Sequence, residues 1–434
     1  MKLTPNNLDE RLEKIKKEIS EEFPPITFQE LEKNIKKWLL IKDENLIRVL
    51  TAAVIANKMT ADPLWLFIIA GSGGSKSELL RGLNKVKGIY HISDLTPQTL
   101  ISGEIGRKDA SLLMQLPKNP IPILTFKDFT SVLTMQRDKR HAILGQLREI
   151  YDGYYKKPFG TGQVKEWHGK LGLIAGVTSV IDNHYAVYQT LGERFIQYRP
   201  IQPEAYDLAM KSQNNSGKEV EMREEIQDSF AAFIENVKIP TSLEIPEEYK
   251  IKVAHLASFC AVARSGIERD YTSREIDLIP DPELPTRLAK QLSLMFMACC
   301  LIEDNPIKNY KLVIKLGLDS LPKKRRSVLR ILIKATDYLE TSVIAAKIGY
   351  PTNTTRRVLE DLHGLKIIKR LPAPKKGMAD GWRIKRKTLK LIANANVTVP
   401  KTPNQASNKA SEPTVSIVSP HTKPLEHFVK NLFN

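Results

Sequence analysis

The sequence predicts an α/β fold with a mostly parallel sheet, joined to a small basic unit. Three observations carry this. Apolar strand candidates at 64–69, 89–92, 121–126 and 171–176 alternate with helical stretches, the order that a parallel sheet with crossover helices requires. The first candidate runs into a glycine-rich turn, Ala70-Gly-Ser-Gly-Gly-Ser-Lys-Ser77, where a buried strand would meet a helix. Residues 321–390 hold 19 Lys/Arg against 5 Asp/Glu, a local excess of 14 in a chain of formal charge +17.

A chain of 434 residues with 42% hydrophobic content can bury more than one core, so two to three domains are expected. No apolar run nears the roughly 20 residues that span a bilayer. The first twenty residues carry no signal-peptide core, so the expectation is a cytoplasmic protein with no membrane segment. Cys260, Cys299 and Cys300 lack zinc-ligand spacing and fall in apolar helical stretches, which points to reduced core thiols and no structural metal.

Along the chain, residues 1–45 read as a helical N-terminal segment. Leu8, Leu12 and Ile15 share one face, Pro24-Pro25 breaks the pattern, and Thr27-Phe-Gln-Glu30 has the form of a capping box. Residues 46–200 hold the strand candidates. Residues 201–315 are helical, clearest at 251–262 and 287–301, and 316–395 form the basic unit. Residues 396–434 are rich in Ser, Thr, Asn, Pro and Lys and are expected to be a disordered tail. The tail ends in Pro424-Leu-Glu-His-Phe-Val-Lys-Asn-Leu-Phe433, spaced either for a short helix that docks a replication partner or for a frayed end.

The glycine-rich turn has the chemistry of a phosphate-binding loop, although Ala70 and Ser75 stand where the regular pattern has glycine. A loop between a strand and a helix start aims backbone N–H groups at an anion. Gly71, Gly73 and Gly74 allow the tight backbone, with Ser75 completing the loop. Lys76 would reach the outer phosphates of ATP, and the Ser77 hydroxyl would help hold Mg²⁺. The plain alternative is a strand-to-helix turn with a surface lysine.

A nucleotide hydrolase also needs a carboxylate at a neighbouring strand end. Lys127-Asp128 follows the strand at 121–126, and Asp128 is the one acid so placed. It is either the catalytic base or the metal-side acid with the base elsewhere, and a helix-capping aspartate is the structural alternative. Beyond a helix starting near His141, residues 154–167 read as a hairpin turning at Gly160-Thr-Gly162, with Lys156, Lys157, Phe159, Lys165 and Trp167 along it. Lysines interleaved with aromatics suit a nucleic-acid strand, or the aromatics pack the hairpin down.

This order of glycine-rich loop, acidic strand end, helix plus hairpin, polar strand end and Arg-Phe resembles the AAA+ ATPase module. In detail it is similar to the helicase-type ATPases of phages and integrating mobile elements, which are themselves similar to minichromosome-maintenance helicases. The resemblance spans about residues 40–310 and rests on Lys127-Asp-Phe-Thr130, Arg148-Glu-Ile-Tyr-Asp-Gly153, Ala175-Gly-Val-Thr178, Gly192-Glu-Arg-Phe195 and Pro285-Thr-Arg287. It implies a P-loop core with a helical lid, in which Thr178 is the polar sensor near the γ-phosphate and Arg194 the finger offered to a neighbouring subunit. It further implies Arg287 as the lid sensor, the hairpin as a DNA contact and a ring, expected to be a homo-hexamer.

In the basic unit, Thr341-Ser-Val-Ile-Ala-Ala-Lys-Ile-Gly349 and Pro351-Thr-Asn-Thr-Thr-Arg-Arg-Val-Leu-Glu-Asp-Leu362 read as helix, turn and helix. Two strand candidates, 366–371 and 381–384, flank the loop 372–380. This resembles a winged helix. Thr354, Thr355, Arg356 and Arg357 sit where such a fold meets the major groove, and Lys375 and Lys376 occupy the wing. The sequence therefore points to an ATP-dependent DNA helicase or translocase of a mobile element. A non-unwinding loader or switch and a winged-helix regulator with a degenerate ATPase core are the alternatives.

Overall fold

The computed structural model describes residues 22–71, 73, 75–103, 111–182, 194–270, 272–373 and 379–397. Leu8, Leu12, Ile15, Gly74, Gly192, Glu193, Lys375, Lys376 and the tail from 398 onward lie outside them. The chain divides into two units, Met1–Lys323 and Lys324–Asn434.

The first unit is built on a five-stranded parallel sheet, as the alternation of strand and helix signals predicts. Its strands are β1 (Trp65–Ile69), β2 (Ile89–Ile92), β3 (Ile123–Phe126), β6 (Gly172–Val177) and β7 (Phe195–Tyr198), in the order β2-β3-β6-β1-β7. Every residue of β1, β3, β6 and β7 is buried. That is the pattern of strands covered on both faces by helices, and it explains why their sequences are continuous apolar runs rather than alternating ones. The strand β7 has no counterpart among the sequence expectations. Four residues with Gln197 in the middle carry little signal of their own. Pairing along β1 and stacking of Phe195 on Phe67, with ring centroids 3.8 Å apart at 11°, hold it in place.

One face is covered by the helix Leu46–Lys58, which packs against the helix Thr286–Ile302. The buried Asn57 side chain replaces a missing turn at its end, donating to the Leu64 carbonyl and accepting from the Leu64 N–H, each at 2.9 Å. Gly172 makes room for it, since a Cβ there would lie 2.6 Å from the Asn57 carboxamide carbon. Trp65, Phe67, Phe126, Phe129, Leu147 and Phe195 belong to one buried cluster. The Thr27 capping box is present on the helix Phe28–Trp38, and the helical stretches at 251–262 and 287–301 fall inside Glu247–Arg264 and Thr286–Ile302.

The hairpin is β4 (Tyr154–Pro158) and β5 (Val164–His168), antiparallel, entered from the helix Arg137–Tyr151 and followed by β6. Gly162 at its turn has φ +80°, a conformation that glycine adopts without strain. A second ribbon, β8 (Glu268–Arg269) with β9 (Ile276–Leu278), interrupts the helices that follow.

The second unit opens with the helix Lys323–Lys334. The helices Thr341–Ile348 and Thr352–Gly364 are separated by Gly349 at φ +69°. The strands β10 (Leu339–Glu340), β11 (Ile368–Leu371) and β12 (Gly381–Ile384) form an antiparallel sheet ordered β10-β12-β11, and the helix Arg386–Asn394 follows. Its core gathers Leu329, Leu332, Ile344, Leu359, Leu362 and Trp382, and the Trp382 indole N–H donates to the Thr341 hydroxyl at 2.9 Å.

Among the described residues no helix is long and apolar enough to cross a membrane, and no group of three or more His, Cys, Asp and Glu is placed to hold a metal. Cys260 and Cys299 are fully buried thiols, and burial pushes both up to about 12, well away from reactive thiolates.

Candidate functional site

The strand order decides which side chains meet. β6 lies between β1 and β3, so the loop after β1, the turn after β6 and the turn after β3 open at one edge of the sheet. Open parallel sheets bind ligands at the carboxyl ends of their strands for this reason.

Lys76 begins the short helix Lys76–Arg81, with Ser75 at φ +21° and Gly73 at φ +81° ahead of it. The lysine is only 5% exposed. Its ammonium donates to the carbonyls of Ala70 at 2.8 Å, Gly71 at 3.4 Å and Val177 at 3.4 Å, so it spans the ends of β1 and β6. Burial pushes its pKa down, and the Asp128 carboxylate opposes that shift. Gly176 admits the lysine stem, since a Cβ there would meet the Lys127 carbonyl oxygen at 2.5 Å and Lys76 Cε at 3.2 Å. The sequence shows Gly176 only as one glycine in an apolar strand. Its role emerges from the approach of two chains distant in sequence.

Asp128 is exposed, and its Oδ1 accepts from the Thr130 N–H at 3.0 Å. The carboxylate thus braces the turn ahead of the helix Thr130–Leu133, whose N-cap is Phe129 rather than Asp128. Thr178 stands at the end of β6. Its N–H donates to Thr130 Oγ1 at 3.0 Å, and the two hydroxyl oxygens are 3.1 Å apart. Thr130 was not singled out from the sequence; its place in Lys127-Asp-Phe-Thr130 is the signal that could have found it.

A cleft adjoins the loop, lined by Leu40, Ile41, Lys42, Leu46, Ala70, Ser75, Lys76 and 200–203. Its lining is mostly apolar, with Lys42, Ser75, Lys76 and Gln202 as the polar side chains. Gly71 and Gly73 have nothing within 4 Å of a built Cβ, so the outside of the loop is open to a bulky anion. Ser77 follows Lys76 in the first turn of its helix, and Asp128 is the exposed carboxylate just after β3. Were ATP and Mg²⁺ to bind, Lys76 and the loop backbone would meet the phosphates, and Ser77 and Asp128 would be the oxygen donors for the metal.

Arg194 and Arg287 lie elsewhere. Phe195 pairs with Trp65 at the start of β1, whereas Lys76 follows the end of β1, so the five-residue strand separates them by at least about 13 Å. Arg194 is 3% exposed, ion-paired to Asp152 at 2.5 Å and 5.4 Å from the Tyr151 ring centre. Arg287 sits 5.9 Å from the same ring and pairs with Glu283 at 3.3 Å. Arg287, expected as a lid sensor, is thus placed beside Arg194 and Tyr151 rather than at the loop of its own chain. Gln291, one turn on in the same helix, donates to Tyr151 Oη at 3.1 Å and the Arg194 carbonyl at 2.6 Å and fixes this arrangement. The finger expectation for Arg194 meets a guanidinium held inward by its own chain.

On the hairpin, Lys157 and Lys165 are direct cross-strand partners, with Tyr155 and Trp167 as the neighbouring pair. Lys156 is paired with Glu166 at 3.4 Å and is thereby partly neutralised. Trp167 is buried in the core cluster. Phe159 lies on Gly103, where a Cβ would meet its ring at 2.4 Å, and Lys157 stands 5.3 Å from that ring's centre. The aromatics therefore follow the packing alternative, and the lysines remain as the cationic feature. In the second unit Arg356 and Arg357 are exposed, Thr354 is half-buried, and Thr355 is buried, its hydroxyl donating to the Pro351 carbonyl.

No family model matches the chain, and no curated protein matches it. Among solved structures, the apo A form of the NrS-1 C-terminal region aligns with a TM-score of 0.30 and 11% identity, covering 83% of this chain and 76% of that one.

Proposed function

We propose that this chain is an AAA+ ATPase that translocates on DNA as a helicase during replication of a mobile element, working as a homo-hexameric ring with a C-terminal winged helix. The observation that supports the reading best is the meeting of Lys76, Asp128 and Thr178 at adjacent strand ends beside an apolar cleft. Lys76 and the loop through Ser77 would hold the phosphates of ATP, and the cleft would take the nucleoside. Ser77 and Asp128 would hold Mg²⁺, which when bound neutralises charge on the transferred phosphoryl group. Thr178, held by Thr130, would orient at the γ-phosphate. Arg194 and Arg287, side by side on Tyr151 and far from their own loop, would serve a neighbouring subunit, with Arg194 released from Asp152 on assembly. Lys157 and Lys165 would grip one strand inside the ring, and Arg356 and Arg357 would meet duplex.

ATP turnover measured with and without single-stranded DNA, beside strand displacement, tests this. Stimulated turnover with unwinding is expected. A second reading, a non-unwinding loader or switch, is favoured by one feature: Lys127 stands beside Asp128 where a regular hydrolase has a second acid. Turnover without unwinding would select it. Absent turnover with retained duplex binding would select a regulator with a degenerate core.

A further inference from the structure

Both walls of the cleft beside Lys76 hang on one carboxylate. Asp43 follows the wall segment 40–42 and is 3% exposed. Its Oδ1 accepts from the Tyr198 hydroxyl at 2.6 Å and from the Asn45 N–H at 3.0 Å. Its Oδ2 accepts from the Ile201 N–H at 2.9 Å, and Ile201 belongs to the opposite wall. Tyr198 ends β7, which is paired to β1, so the sheet, the entry loop and the far wall meet at one residue. Among the described residues no cation pairs with Asp43. A buried carboxylate served only by neutral donors is costly to desolvate, and it persists where its geometry is used. Here the geometry sets the distance between Leu40–Lys42 and Pro200–Pro203.

We infer that Asp43 is the positioning residue that sets the width of the nucleoside cleft and thereby the choice of nucleobase. This rests on the nucleotide reading of the Lys76 loop. The phosphates would be held by groups that no base can influence, so selection among nucleoside triphosphates falls to the cleft walls. Replacing Asp43 by Asn keeps the shape but turns one acceptor into a donor facing a donor. One wall is then released, and discrimination drops while the phosphate contacts remain.

The test is equilibrium titration of the full chain with ATP, GTP and CTP, for wild type, Asp43→Asn and Tyr198→Phe. The wild type is expected to prefer one base. That preference should shrink at least about fivefold in Asp43→Asn and about threefold in Tyr198→Phe, the scale of one or two lost hydrogen bonds. A structural defect would lower all three affinities together and leave their ratios unchanged, which would overturn the inference. So would a wild type that binds the three equally. If Asp43→Asn does not fold, the Tyr198→Phe ratios decide alone. A wild type that binds none of the three would overturn the nucleotide reading itself, an outcome distinct from these.

Discussion

The hydroxyl oxygens of Thr130 and Thr178 lie 3.1 Å apart, joining the turn after β3 to the end of β6. The Thr178 N–H also donates to Thr130 Oγ1, so Thr130 fixes the position of the residue proposed to face the γ-phosphate. Thr130→Val removes both contacts at nearly constant volume. Each is worth about 1 kcal/mol, so turnover should fall roughly five- to thirtyfold with little change in ATP affinity. Equal losses in binding and turnover would show that Thr130 merely supports the fold.

Lys76→Ala should abolish ATP turnover while the second unit keeps its thermal transition, because the lost ammonium touches only the ends of β1 and β6. Asp128→Asn should bind ATP and fail to hydrolyse it. The Asn oxygen can still accept from the Thr130 N–H, so the turn survives while the negative charge is lost. Normal hydrolysis by the Asp128 variant would place the essential acid elsewhere.

Arg194 and Lys76 sit at opposite ends of β1, which gives the ring hypothesis a direct test. Inactive Arg194→Ala chains mixed with inactive Lys76→Ala chains should regain part of the wild-type turnover. Some interfaces would then pair an intact loop with an intact arginine. Mixed rings that form and stay inactive would rule out a shared site.

The two basic features should divide DNA binding between them. Arg356→Ala with Arg357→Ala should weaken duplex binding and flatten its salt dependence, by up to about 1.8 in the log–log slope if each arginine meets one phosphate. Lys157→Ala with Lys165→Ala should spare duplex affinity and reduce the stimulation of turnover by single strands. The change removes a like-charge cross-strand pair together with the Lys165 contact to Ser111 Oγ at 3.5 Å and the Lys157 contact to the Phe159 ring, so a thermal melt of the variant is run alongside. Salt titrations alongside strand-displacement assays separate the two, and normal unwinding by the lysine variant would assign the motor contact elsewhere.

Lys170 supplies a pH signature. Its ammonium donates to the Met59 carbonyl at 2.7 Å, and burial lowers its pKa to about 8. The unfolded chain, with a lysine near its ordinary value of about 10.4, binds more protons between those two pH values. Stability from this residue therefore rises as pH increases from about 8 toward 10.4. Denaturant midpoints across that range should climb less steeply in Lys170→Met than in wild type, and parallel curves would remove Lys170 as the source.

Much of the chain was legible in its residues because the signals are local. Thr27 and Glu30 cap their helix three residues apart, Gly162 turns the hairpin as one of the two glycines expected there, and Gly349 separates two helices whose bounds the apolar spacing already marks. Continuous apolar runs marked β1, β3 and β6 as buried parallel strands before any pairing was known. Strand order, by contrast, depends on burial between segments a hundred residues apart, and no local period encodes it. Only the fold puts β6 between β1 and β3, so that Gly176 must lack a side chain for Lys76 to pass. Only packing turns Trp167 and Phe159 inward, because large rings are buried wherever a complementary surface exists. And only the helix Thr286–Ile302, tied through Gln291 to Tyr151, sets Arg287 beside Arg194 at the edge away from the loop. The sequence by itself determined which residues could carry the chemistry. The tertiary structure decided which of them meet, because contacts between distant segments are set by the burial of the whole sheet.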